Sequence, residues 1–269
     1  MTSSGSGLSL RECAERLGVH YMTVYRYVRT GMLPARKDRS TWVVDAAALT
    51  AFRSADTPRA SARNAAPWDV RFREVCMRGD DLGAWRVVES ALAGGMSPEQ
   101  VYLGVISPAL RAVGDLWAEG VVGVAQEHAV TGVALRTIGR LGPLFRSPGR
   151  RKGTILLAAP QGERHGVGVA MTADLLRSRG WEAIDLGADL PASDIADAAV
   201  AAGDDVIVGL SVTVPEHLDA AEETIAAIRE RGPRTIVVGG AAFRDDDAGS
   251  IGADIWAPDG LRAADLLAR

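Results

Sequence analysis

Thr154-Ile-Leu-Leu-Ala-Ala159 runs directly into Pro160-Gln-Gly-Glu-Arg-His-Gly-Val-Gly168, and a helix-like pattern follows from Val169 to Arg179. The spacing predicts a strand, then a loop holding one His, one Glu and three Gly, then a helix. In an open α/β sheet, ligands sit at the carboxyl ends of strands, where such a loop lies. The alternation continues downstream. Glu182–Leu186, Val206–Val212, Thr235–Val238 and Ile255–Ala257 read as strands, with helices near 167–180, 192–202, 216–231, 241–250 and 261–268. Near-continuous apolar strands joined by helices imply a parallel, doubly wound sheet of flavodoxin-like (Rossmann-like) type over residues 150–269. Three strand ends are chemically marked: Glu163-x-His165-x-x-Gly168, Gly209-Leu-Ser211-Val-Thr213, and Gly239-Gly240.

Residues 67–149 carry a different period. Apolar residues recur at spacings of three and four in Trp68–Met77 and Leu82–Ala93, and Gly94-Gly95 ends the second run. Ser97-Pro98 and Ser107-Pro108 each read as an N-cap followed by Pro at the first helical position. A last helix is expected from Ala125 to Ile138, completing a bundle of four or five helices. Trp117 falls near the end of one helix and Glu127-His128 near the start of the next. Taken alone, a Trp there is core and a Glu-His pair there is capping.

Charge separates the first part of the chain from the rest. Of 30 Lys and Arg and 34 Asp and Glu, residues 1–66 hold ten basic and five acidic, a net of +5, which leaves −9 for the remainder. A basic head on an acidic body suggests that only the head meets nucleic acid. Ser9-x-x-Glu12 is a capping box that opens a helix whose apolar face is Leu10, Cys13, Ala14 and Leu17. A second short helix, about Tyr21 to Thr30, completes a helix-turn-helix and presents Tyr21, Thr23, Arg26 and Arg29 to a major groove. Leu33 to Val44 reads as a β-wing with Arg36, Lys37 and Arg39 at its tip, placed for phosphates. Asp45 caps a third helix from Ala46 to Phe52. The head therefore spans 1–55, and the Ala/Ser/Arg/Pro-rich stretch 56–66 reads as a linker.

The remaining features set bounds. The chain is 47% hydrophobic and 24% charged, so it is globular. It has no apolar run of membrane-spanning length and no signal-peptide pattern at its start. Cys13 and Cys76 lie far apart and fit a reduced cytoplasm. No nucleotide-phosphate loop and no paired nucleophile and base are visible, so the expectation is a binding protein and not an enzyme.

Several of these motifs resemble known families. Leu10-Arg-Glu-Cys-Ala-Glu-Arg-Leu-Gly-Val19 and Val24-Tyr-Arg-Tyr-Val-Arg-Thr-Gly-Met-Leu-Pro34 resemble the winged helices of MerR-type and excisionase-type regulators. Glu163-x-His165-x-x-Gly168 resembles the Asp-x-His-x-x-Gly signature of cobalamin-binding domains such as those of methionine synthase, methylmalonyl-CoA mutase and corrinoid methyl carriers. That resemblance implies that His165 is the lower ligand of cobalt and that Glu163 replaces the usual Asp in orienting its imidazole. It also implies that Gly168, the Ser211–Thr213 loop and the Gly239-Gly240 pair accommodate the nucleotide tail.

Pro108 to His128 resembles the helical cap that precedes such domains. Its Trp117-x9-Glu127-His128 pattern is closer to the light-sensing regulators of the CarH and LitR kind. There the resemblance implies that Trp117, Glu127 and His128 enclose the upper, adenosyl face of adenosylcobalamin. The domain order is similar to that family over nearly the whole chain. It implies a repressor of operator DNA, tetrameric in the dark, that dissociates when light breaks the cobalt–carbon bond. One position departs from it: many family members carry a His directly after the cap Trp, and here that residue is Ala118. Two alternatives stay open, a regulator that senses cobalamin without light and a corrinoid methyl carrier.

Overall fold

The computed structural model describes residues 7–17, 24, 25, 27, 28, 33–38, 41–54, 67–243 and 249–268. The chain divides into two units, Met1–Ala66 and Pro67–Arg269.

The first unit is a winged helical head. β1 (Leu8–Ser9) leads into α1 (Leu10–Leu17), and the capping box forms as read: the Ser9 N–H and hydroxyl both donate to Glu12 at 2.8 Å. Val24, Tyr25, Tyr27 and Val28 are helical. The groove-facing residues Tyr21, Thr23, Arg26 and Arg29, together with Arg39 and the expected linker 56–66, lie outside the described residues. The wing is present as β2 (Ala35–Asp38) paired antiparallel with β3 (Thr41–Val44). Its register puts Arg36 opposite Val43 and Lys37 opposite Trp42, so both cations lie on a strand and not at the tip. The expected tip placement is not met for Arg36 and Lys37, because the pairing runs past both of them to Asp38 and Thr41. β1 adds a third strand against β3, too short to be legible from periodicity. Asp45 caps α2 (Ala46–Ser54) by accepting from the Ala47 N–H at 2.7 Å.

The second unit joins the helical cap to the sheet. α3 (Trp68–Met77) and α4 (Asp81–Ala93) are antiparallel neighbours, and Asp80 caps α4 by accepting from the Gly83 N–H at 2.7 Å. α5 (Pro98–Val101) starts at a Ser97/Gln100 capping box. It does not stop before Ser107-Pro108 as expected. A π-helical segment, Tyr102–Ile106, carries it without a break into α6 (Ser107–Ala118), the Ser107 N–H donating to the Tyr102 carbonyl. Pro108 has no N–H to give, and its ring would press on the carbonyl one turn back. The wider π turn supplies the room, so Pro108 is absorbed by the helix. α7 (Val124–Leu141) closes the bundle.

The sheet consists of β4 (Thr154–Ala158), β5 (Glu182–Asp185), β6 (Ile207–Ser211), β7 (Ile236–Gly239) and β8 (Ile255–Trp256). All neighbours are parallel, in the order β5-β4-β6-β7-β8. The helices are α8 (Gly166–Ser178), α9 (Ala192–Ala202), α10 (Leu218–Glu230) and α11 (Gly260–Leu266). This is the doubly wound order, with its switch point between β4 and β6. The helix expected over 241–250 is not formed in its described part, which shows only a 3-10 turn, Gly249–Ile251. Gly240 leaves β7 at φ +111°, and Ala242 then donates its N–H to the Val212 carbonyl at 3.1 Å, so that donor serves a neighbouring loop and not a helix. Among the described residues no helix is long and apolar enough to cross a membrane.

α8 belongs to both layers. Its Val169, Ala173 and Leu176 pack on the sheet, and its Met171 and Leu175 enter the core of the bundle. Each of the Val, Leu and Met side chains among these contributes roughly 1.5–3 kcal/mol when fully buried. A polar clamp adds direction: the Tyr102 hydroxyl donates to buried Asp174 at 2.7 Å, and Arg177 pairs with the same carboxylate at 2.8 Å. The helix that begins at His165 is thereby fixed to the cap.

Cys76 lies fully buried in the bundle core. Burial, then the Asp81 and Asp80 charges, push its thiol up to about 12. The unfolded thiol ionises near about 8.5. The folded state therefore holds the proton more tightly, and stability falls as pH rises from about 8.5 toward about 12. Urea melts across that range are expected to show a steeper alkaline loss for the wild type than for Cys76→Ala. Alkylation of Cys76 at pH near 8 should be undetectable until the protein unfolds.

Candidate functional site

The loop after β4 and the loop after β6 flank the switch point, and one side chain joins them. Glu163 is completely buried. Its Oε1 accepts from the His165 N–H at 2.9 Å and from the His165 ring Nδ1 in a short hydrogen bond. Its Oε2 accepts from the Thr213 N–H at 2.7 Å and the Val214 N–H at 3.3 Å. Burial pushes the Glu163 carboxyl up. The donors from the His165 ring and backbone and from Thr213 together outweigh it and hold the group at about 2. A buried carboxylate is tolerable only when its lone pairs are met in this way.

His165 caps α8, and its side chain is 53% exposed. The Glu163 hydrogen bond raises its pKa; burial opposes, and the charges of Glu163 and Glu127 add to the rise. With Nδ1 committed to Glu163, the tautomer and ring plane are set and Nε2 is the nitrogen left for a ligand. Gly168 follows one turn on. A Cβ there would lie 3.2 Å from Ser211 Oγ, so the first turn of α8 and the end of β6 meet at a site that excludes side chains.

Gly239 and Gly240 have a reason inside the chain itself. A Cβ on Gly239 would lie 2.7 Å from the Ala257 carbonyl oxygen, and one on Gly240 would lie 2.1 Å from that of Val212. Both glycines are needed for the strand ends to approach one another, whatever else they meet.

From the cap, Trp117 is 49% exposed near the end of α6 and is no core residue. Exposed Val121 and Val124 flank it at the α6–α7 turn, an apolar surface facing solvent. Glu127 accepts from the Thr131 hydroxyl at 2.7 Å and lies 3.6 Å from exposed His128. Its charge adds to the rise in the His165 pKa.

Sequence reasoning missed the two backbone donors at 213 and 214 as partners of Glu163, and Thr131 as partner of Glu127. It also missed Asp189, which sits at φ +62° with its carboxylate on the Gly162 N–H at 2.7 Å. The turn composition Gly187-Ala-Asp189-Leu-Pro191 directly after a strand was the available signal.

Donor chemistry tests whether these residues suit a corrinoid. Among the described residues no three His, Cys, Asp or Glu side chains gather into a metal cage. The described residues offer one imidazole oriented by a buried carboxylate and, on the cap, an exposed indole with exposed valines. A metal bound by a single protein ligand must arrive with its other positions filled, as cobalt does inside a corrin. The residues fit that group.

Comparison with known proteins agrees. Residues 153–265 and 70–141 each match a B12 binding domain, and residues 8–56 match a helix-turn-helix domain. This defines a cobalamin-binding protein with a DNA-binding head. The chain belongs to the corrinoid, B12-binding protein family, being 30% identical to a corrinoid protein of Desulfitobacterium hafniense over 58% of this chain and 76% of that one. It is 31% identical to the HTH-type transcriptional repressor CarH of Myxococcus xanthus over 71% of this chain and 64% of that one, so it spans less than two thirds of that relative. Trimethylamine corrinoid protein 1 of Methanosarcina mazei is 27% identical over 71% and 89%. In fold, the monomethylamine corrinoid protein of Methanosarcina barkeri is similar at TM-score 0.66 and 20% identity, over 73% of this chain and 94% of that one.

Replacing Glu163 by Gln keeps the volume but turns an amide N–H₂ toward donors that need an acceptor. Hydroxocobalamin titrated into the apo-protein is expected to bind about 10- to 100-fold more weakly to Glu163→Gln than to wild type, followed by absorbance. The apo-variant should also melt at lower temperature, because a buried donor is left without a partner.

Proposed function

We propose that the protein is an adenosylcobalamin-dependent, light-responsive transcriptional regulator, acting as a repressor. The observation that carries this reading is the coexistence, in one chain, of a basic winged head and two matches to B12 binding domains; in this reading Trp117, Glu127 and His128 line the upper side of the corrinoid. In this reading residues 1–55 bind operator DNA, 56–66 link, 67–149 cap the cofactor and 150–269 hold it.

His165, oriented by Glu163, would hold the cobalt. The Ser211–Thr213 loop, Gly168 and the Gly239-Gly240 pair would accommodate the nucleotide tail. Trp117 would offer an indole face to the upper group, and Glu127, steadied by Thr131, would accept hydrogen bonds from its hydroxyls. The bound cofactor supplies a weak cobalt–carbon bond that light can break. Trp117, Val121 and Val124 are the cap residues whose cover would depend on the upper group, and α8 would couple that dependence to the His165 loop. A cofactor that favours a tetramer in the dark multiplies the DNA-binding heads at one operator, and avidity supplies the affinity.

Ala118 offers no imidazole from the cap in the lit state. His128, exposed on α7, is the remaining cap histidine. If it does not substitute, the lit state reverts more readily than one locked by two histidines.

The methylamine corrinoid proteins among the relatives favour a second reading, a methyl carrier, since such a protein matches this chain over 89% of its own length. A carrier has no use for a basic winged head, and that feature ranks it second.

Reconstitution with adenosylcobalamin, with spectrum, size and DNA binding measured on the same dark and illuminated samples, is the decisive experiment. Dark binding to the chain's own promoter region, lost on illumination, is expected. Equal binding in both, dependent on cofactor, would leave a cobalamin sensor without light. Absence of salt-sensitive DNA binding in every state would favour the carrier. Arg36→Ala should weaken DNA binding evenly across sequences and reduce the salt slope by about 1. His128→Ala should leave the illuminated spectrum unchanged if water takes the upper position.

A further inference from the structure

We infer that Asp189, in the loop after β5, is the positioning residue for the His165 imidazole. The inference rests on reading His165 as the cobalt ligand and adds what holds that ligand in place. Glu163 fixes the ring, but Glu163 itself sits on a loop that must be held. Asp189 meets that loop at three successive residues. Its Oδ1 accepts from the Gly162 N–H at 2.7 Å, its own N–H donates to the Glu163 carbonyl at 2.9 Å, and its Oδ2 lies 3.6 Å from Arg164 Nε.

The two loops are already in register below this point. Ala159 donates to the Gly187 carbonyl at 2.9 Å, Leu190 donates to that of Ala159 at 3.2 Å, and Pro160 and Leu190 form a parallel bridge. Asp189 extends this pairing past the end of the strands, where regular sheet stops. Gly162 is reached at φ +87°, and any Cβ there would lie 3.1 Å from His217 Nδ1, so the loop has little freedom to be held another way.

The backbone of Asp189 supports the same role. At φ +62° it is the non-glycine residue of positive φ among those described. Asp and Asn tolerate this region better than other side chains, and glycine tolerates it best. A turn that wanted only the conformation would be served by glycine. The carboxylate is retained where its bonds to the His165 loop over-determine the strained geometry.

The two requirements can be separated. Asp189→Gly relieves the backbone and removes the acceptor, whereas Asp189→Asn keeps the acceptor and the tolerance for positive φ. The experiment is electron paramagnetic resonance of cob(II)alamin bound to the full chain, with histidine labelled by the heavy, spin-one-half nitrogen isotope. A protein imidazole on cobalt then splits the lines into doublets, and the cofactor's own unlabelled base splits them into triplets.

Wild type and Asp189→Asn are expected to give doublets. Asp189→Gly is expected to melt as cooperatively as wild type, to lose the doublets in part or whole, and to bind cob(II)alamin about 10- to 100-fold more weakly. Doublets and wild-type affinity in Asp189→Gly would overturn the assignment, as would loss of cooperative melting, which would make Asp189 a residue of the fold. Triplets in the wild type would overturn the ligand reading of His165 itself and this assignment with it.

Discussion

A buried carboxylate with no counter-charge of its own must be met by donors, and in this protein the demand of Glu163 shapes the site. Four donors converge on it, two from the loop after β4 and two from the loop after β6. Those strands are adjacent only because the sheet reverses its winding between them. The switch point therefore does more than open a crevice. It lets one side chain tie two strand ends together and hold an imidazole at their junction. The glycines serve the same closeness, since side chains at 168, 239 or 240 would meet Ser211 or backbone carbonyls of the neighbouring loops.

The imidazole is fixed from a second direction by α8. That helix starts at His165 and carries Met171, Leu175 and Asp174 into the bundle, where Tyr102 meets Asp174. A bundle built on such a helix cannot move freely of the ligand at its first turn. The cap is thereby tied through α8 to the loop that carries His165. The π turn before Pro108 belongs to the same arrangement, because it carries buried Tyr102 and the helix that ends at Trp117 in one unbroken element.

Much of this was legible in residue order. Near-continuous apolar runs located the strands, and spacings of three and four located nearly all of the helices, because burial leaves its pattern in the sequence. The capping box at Ser9 and the N-cap at Ser97 were readable for a related reason: their partners are three residues away. The failures share a cause as well. Ser107-Pro108 has the composition of a helix start, yet packing made the helix continuous. The stretch after Gly240 has helical composition, yet the Ala242 N–H bonds a neighbouring loop. Arg36 and Lys37 looked like turn residues until strand register assigned them.

The amino-acid order alone was enough for the architecture of a winged head, a helical cap and a doubly wound domain, and for the candidacy of Glu163, His165, Trp117 and Glu127. The architecture follows from local rules of period and cap, and the four site residues from the resemblance of their motifs to known families. What required the folded chain was the partnership among residues far apart in sequence: Thr213 and Val214 on Glu163, Asp189 under Gly162, Asp174 on Tyr102. Such contacts carry no local signature, because the distance that matters is the one across neighbouring strands and between layers, and that exists only once the sheet has closed its order and α8 has packed on both sides.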